Sequence, residues 1–122
     1  MNTQLLQNLF GVYLVLAIGY NLVSLVLFAK TGRRAAPTEP MAGIQLISIL
    51  YVVYAVGDQV SNWLYLFFLS SFAALILNFG IIGHLHNYKE AQYFSRLSWL
   101  SAIMINCFGF AVLLLIIVIA IL

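Results

Sequence analysis

Charge is the scarcest property of this sequence. Three acidic and five basic side chains are spread over 122 residues, for a formal net charge of +2. A soluble domain carries about a quarter of its residues as Asp, Glu, Lys or Arg. Here that share is 7%, and 65% of the residues are hydrophobic. A soluble domain of this size could not hide so much apolar surface, so we expect a single-domain integral membrane protein with the lipid bilayer as its solvent. The same scarcity excludes nucleic acid as a partner, because no basic run reaches the size of a phosphate-binding patch.

Cysteine is almost absent as well. Cys107 alone excludes a disulfide within the chain and any CxxC redox or metal motif. Its apolar neighbours, MINCFGF, predict a buried, inert thiol. The two prolines, Pro37 and Pro40, share one polar connection and leave the apolar runs unbroken. Paired carboxylates, a Ser/His/Asp set and a glycine-rich phosphate loop are all missing, so an enzyme is not expected; only His84 or His86 offers a base. There is no internal repeat.

What the chain does have is four long apolar runs: Leu9–Ala29, Ala42–Gly57, Trp63–Gly83 and Trp99–Leu122. A spanning helix needs about 20 mostly apolar residues, whereas barrel strands would be short and alternating. With their flanks, the runs predict an all-α membrane protein of four transmembrane helices in two hairpins, over 8–29, 41–60, 62–83 and 97–122, as an up-down bundle. Pro40 suits a first helical turn, Ser61 or Asn62 a cap, and Asp58 a turn.

The basic residues set an orientation. Lys30, Arg33, Arg34, Lys89 and Arg96 all follow the first or third run. Cytoplasmic loops are enriched in Lys and Arg, so loops 30–41 and 84–98 are expected inside and both termini outside, as in a bacterial inner membrane. Charge follows the first run instead of preceding it, so that run is expected to remain as a span and not to be cleaved as a signal.

Within the runs no ionisable residue lies deep, which argues against a proton- or ion-coupled carrier. Each run carries one amide instead: Asn21, Gln45, Asn78 and Asn106. Small or polar residues accompany them at helical spacing, among them Ser48 and Ser98. All four amides fall roughly 6–12 Å from the cytoplasmic helix ends, which predicts one polar layer in the inner half of the bundle. Amides and small residues are ordinary glue between membrane helices. That favours an accessory or assembly subunit held to a larger membrane complex by helix–helix contacts, with the aliphatic end of the last helix free for lipid or a partner chain. The alternative is a homo-oligomeric channel or carrier whose amide layer binds a neutral or lipid-like molecule, such as a lipid headgroup or a quinone.

Polarity and aromatics crowd together only in GIIGHLHNYKEAQYFSRLSW, residues 80–99. On a helix, His84 and His86 point to different faces. In a loop they would need a further ligand to hold zinc, and only Glu90 is near. Haem would need an inward axial histidine, and His84 sits at the helix end. No metal or cofactor is therefore expected. Lys89, Arg96, Tyr88, Tyr93, Phe94 and Trp99 read as an interfacial anchor, with Trp63 and Tyr65 at the opposite boundary.

Overall fold

The computed structural model describes residues 2–122. Every regular element among them is helical and none is a strand, which removes the barrel alternative. Helix α1 is Thr3–Thr31, α2 Pro40–Ala55, α3 Asn62–Leu75 and α4 Arg96–Ile121. Helix α3 runs directly into a π-helix, Ile76–Asn87, and short 3-10 turns occupy Gly57–Gln59 and Glu90–Gln92.

Local chemistry explains the boundaries. The Asn2 side chain accepts from the Gln4 N–H at 2.9 Å and opens α1. Gly32 closes it at φ 73°, a left-handed conformation that glycine adopts without a Cβ penalty. Pro40 occupies the first turn of α2, where its missing N–H is no loss. The Glu39 carboxylate caps that helix by accepting from Met41 and Ala42 at 3.1 and 2.6 Å. At α4, Ser95 and Ser98 each accept from the other's backbone N–H, a capping box.

Three rods are long and apolar enough to cross a membrane: α1, α3 with its π segment, and α4. The second helix is shorter than its expected range of 41–60. It ends at Ala55, and Gly57–Gln59 turn as 3-10. The reason is local: glycine is a poor helix former, and Asp58 favours the turn. Sixteen residues reach only about 24 Å, below the ~30 Å of a bilayer core.

Packing is uneven along the rods. At the end near the chain termini, Leu6, Phe10, Leu50, Leu69, Leu113 and Ile116 form a tight apolar core, with the Phe10 and Tyr54 rings 4.2 Å apart. At the other end α1 holds α2, α4 holds the π segment, and a cleft opens between α2 and the π segment. Large apolar side chains cover the outside, including Trp63, Val15 and Leu97, each more than 70% exposed. Apolar surface on that scale is stable in lipid and not in water. Cys107 belongs to it. Contrary to the expected burial, its side chain is exposed, because α4 buries the face of Ala102, Gly109 and Val112 and Cys107 lies on another.

Candidate functional site

Three glycines set how closely the helices approach, and each receives a polar side chain from a neighbour. The Asn21 amide of α1 lies over Gly43 of α2, the Asn106 amide of α4 over Gly80 of the π segment, and the Tyr13 ring of α1 over Gly109 of α4. A methyl group at any of the three would collide with that partner. Each asparagine also donates its side-chain N–H to its own helix, Asn21 to the Ala17 carbonyl at 2.8 Å and Asn106 to Ala102 at 2.7 Å.

Above these contacts lies a half-open cleft of about 540 Å³. Leu46 of α2 and Leu75 and Phe79 of the third rod stand on its rim, exposed to the surroundings. Its floor carries Tyr20, Asn21, Asn106 and His84, and Glu39 stands at its mouth. Among the described residues Glu39 is the one carboxylate on the wall, and no lysine or arginine lines it. The N–H groups of Ala42 and Met41 hold the Glu39 carboxyl below the ordinary glutamate range.

The π-helix determines which residues reach the cleft. Phe72, Ile76, Gly80, His84 and Tyr88 all line it at steps of four. In a regular α-helix such a row drifts by about 40° per step, or about 160° over four steps. The wider turn of a π-helix, with its i to i+5 bonding, opposes that drift. His84 is thereby brought inside, 4% exposed, whereas its helix-end position had suggested a side chain outside the bundle. His86 is exposed.

The end of the cleft is closed by the two connections, which dock on each other. The Ser24 hydroxyl accepts from the Ala35 N–H at 3.0 Å. The Ala35 carbonyl accepts from the Ser98 hydroxyl at 2.8 Å and from the Phe94 N–H at 3.3 Å. Arg33 donates to the Tyr93 carbonyl at 2.9 Å, and Tyr20 donates to the Ser98 carbonyl at 2.8 Å. Trp99 donates its indole N–H to the His84 carbonyl at 2.8 Å. The Tyr93 hydroxyl lies 2.6 Å from His84 Nδ1. Burial, with Tyr88 nearby, pushes the Tyr93 phenol up to about 12, so it stays protonated. A smaller hollow of about 400 Å³ lies beyond, between His84, Tyr88, Glu90, Arg96 and Trp99.

The expected polar layer is thus divided. Asn21 and Asn106 meet at the cleft. Gln45, Ser48 and Asn78 do not; all three are exposed. Ser48 and Asn78 donate only to their own helix, to the Ile44 and Ala74 carbonyls. Depth alone could not show this. Gln45 is two residues after Gly43, roughly 200° around an α-helix, and Asn78 is two before Gly80. Ser98 fastens the connections and does not line the cleft. Lys30, Lys89 and Arg96 are exposed, Arg96 pairing with Glu90 at 2.7 Å. Arg34 lies over the Phe28 ring and Arg33 over Phe94. Tyr93, read from sequence as an interfacial anchor, is 2% exposed and packs inward.

Tyr93 was given another role, and Tyr20, Glu39, Gly43 and Gly80 escaped the reading of the sequence as site residues. The row of fours from Phe72 to Tyr88 was its one available signal. Among the described residues no three His, Cys, Asp or Glu side chains converge as a metal site would require. Comparison with family models, with curated proteins and with solved structures finds no match to this chain.

Proposed function

We propose that this chain is a four-span membrane protein, its second span made up of α2 with the 3-10 turn that follows it, and that it binds one neutral or lipid-like molecule in the cleft between α2 and the π segment. In this reading both termini lie outside, and the connections around Arg33 and Lys89 lie inside, at a bacterial inner (plasma) membrane. The orientation is supported by all five basic residues falling in those two connections or in the helix ends that flank them. The protein acts by holding its ligand and carries out no covalent chemistry.

One observation carries the reading. The cleft combines an apolar rim that opens sideways between two helices with a small set of polar groups at its floor. Its volume falls within the ~300–1,000 Å³ of ordinary ligand sites. An amphiphile could enter from the bilayer with its headgroup toward Tyr20 and His84 and its tail between Leu46 and Phe79.

A second reading, an accessory subunit of a larger membrane complex, is favoured by Gln45 and Asn78. Their amides face outward, and an amide in lipid gains from a hydrogen bond across a helix interface. Native mass spectrometry after gentle solubilisation separates the two. A monomer or homo-oligomer that keeps a lipid or quinone mass, and loses it in Asn21→Leu with Asn106→Leu, supports the cleft. Co-migration with larger, unrelated membrane chains supports the subunit. A bare monomer that takes up no added amphiphile sinks the cleft reading.

A further inference from the structure

Buried histidines usually have both ring nitrogens engaged or one engaged and one sealed by packing; His84 has neither arrangement. Its Nδ1 is held by the Tyr93 hydroxyl. Its Nε2 makes no hydrogen bond, yet no buried side-chain nitrogen or oxygen among the described residues is sealed without a partner. Nε2 therefore keeps contact with open space, although the residue is 96% buried. The open space against His84 is the cleft and the small hollow beyond it.

The tautomer follows from Tyr93. Its hydroxyl is buried and has one partner, His84 Nδ1. If Nδ1 carried the proton, the phenol hydrogen would have no acceptor, at the cost of an unmade buried hydrogen bond. With the phenol donating, Nδ1 accepts and the ring proton sits on Nε2. Because Tyr93 is itself fixed by the Arg33 contact to its carbonyl, the ring is held in one orientation.

Resting on the reading of the cleft as a binding site, we infer that His84 Nε2–H is its polar hook, and that it recognises the carbonyl oxygen of an uncharged amphiphile. An anionic headgroup is disfavoured, since no lysine or arginine lines the cleft and Glu39 stands at its mouth. A donor open to a cleft with an apolar rim selects an acceptor. Two sources offer that chemistry in a membrane: the ring carbonyl of a quinone and the ester carbonyl of a neutral glycerolipid.

The test uses the full-length protein in maltoside with Trp63→Phe, so that the emission comes from Trp99, whose indole is bonded to the His84 carbonyl. A decyl-substituted benzoquinone is titrated as quencher. Saturable quenching is expected, weakened about tenfold by His84→Leu, the worth of one hydrogen bond in a dry site. His84→Gln, which keeps an N–H near the Nε2 position, is expected to stay within about threefold of the parent. Tyr93→Phe is independent of how well the His84 variants fold. It frees the tautomer and weakens binding about two- to threefold, and unchanged affinity there overturns the assignment. Displacement by dioctanoylglycerol identifies any neutral carbonyl lipid as ligand, and failure to displace identifies the quinone ring; both support the hook. Equal displacement by decylbenzene, which has no acceptor, overturns it. If binding is saturable but unchanged by His84→Leu, the hook falls and the cleft stands. If nothing binds saturably, both fall.

Discussion

At the scale of single residues, glycine and asparagine act as matched pairs. Asn21 on Gly43 and Asn106 on Gly80 each bring two backbones together where a larger residue would hold them apart. Small residues serve this purpose between membrane helices because lipid tails supply no hydrophobic force to drive the helices together. The pairs differ in how much they can yield. Against Gly43 the obstacle is the end of an amide side chain, which can swing into the cleft. Against Gly109 it is the Tyr13 ring, 1% exposed and hemmed in by the core. Gly109→Ala should therefore destabilise the protein by about 1–3 kcal/mol, the usual cost of overpacking. Gly43→Ala should cost less and be relieved by Asn21→Ala. Unfolding in mixed detergent micelles, run as a double-mutant cycle, measures both; equal costs at the two glycines would contradict the account.

At the scale of elements, the connections are as ordered as the helices. Ala35 is 2% exposed and joins three segments through its N–H and carbonyl. Ser24→Ala leaves the Ala35 N–H buried without an acceptor, a loss of about 1–3 kcal/mol. Amide hydrogen exchange at Ala35 and Phe94 should accelerate in that variant while the core of α4 keeps its protection. The start of α2 depends on pH instead. Glu39 accepts from two backbone N–H groups that hold its carboxyl below the ordinary value near 4.5. A folded-state value lower than the unfolded one adds stability above the unfolded value and loses it as pH falls through the folded one. The wild type should thus be more stable than Glu39→Gln at neutral pH, with the gap closing below pH 4.5. Thermal midpoints from pH 7 to pH 3 follow this, and a gap that widens in acid would refute it.

At the scale of the whole molecule, a tight apolar core at one end and a cleft at the other make the two ends mechanically unlike. The core end has its large side chains interlocked, from Phe10 to Ile116. The cleft end is held by asparagine side chains over glycine and by the docked connections, and so has room for a guest. The proposed orientation makes a direct prediction. With Cys107→Ser as background, Gln59→Cys should react with an impermeant maleimide added outside intact cells. Thr38→Cys and Gln92→Cys should react only after the membrane is opened. The reverse pattern would invert the topology and place the mouth of the cleft, at Glu39, on the outer side.

The sequence by itself determined the solvent of this protein, because 65% hydrophobic composition with 7% charge leaves long apolar runs that only lipid can surround. It also determined the three long helices and the start of α2, since a first-turn proline such as Pro40 and a cap such as Ser61 act within a few residues. What the tertiary structure alone decided is which way each polar side chain faces. Asn21 and Gln45 look alike in sequence and in depth. One rests on a neighbouring glycine and the other faces away, because facing depends on the angle about the helix and on what lies across from it. The same holds for His84. Its place inside depends on a π-helix whose extra residues per turn change the phase of everything after Ile76. The row of fours from Phe72 to Tyr88 is the one pattern that follows that change, and the segment that carries it packs against α4.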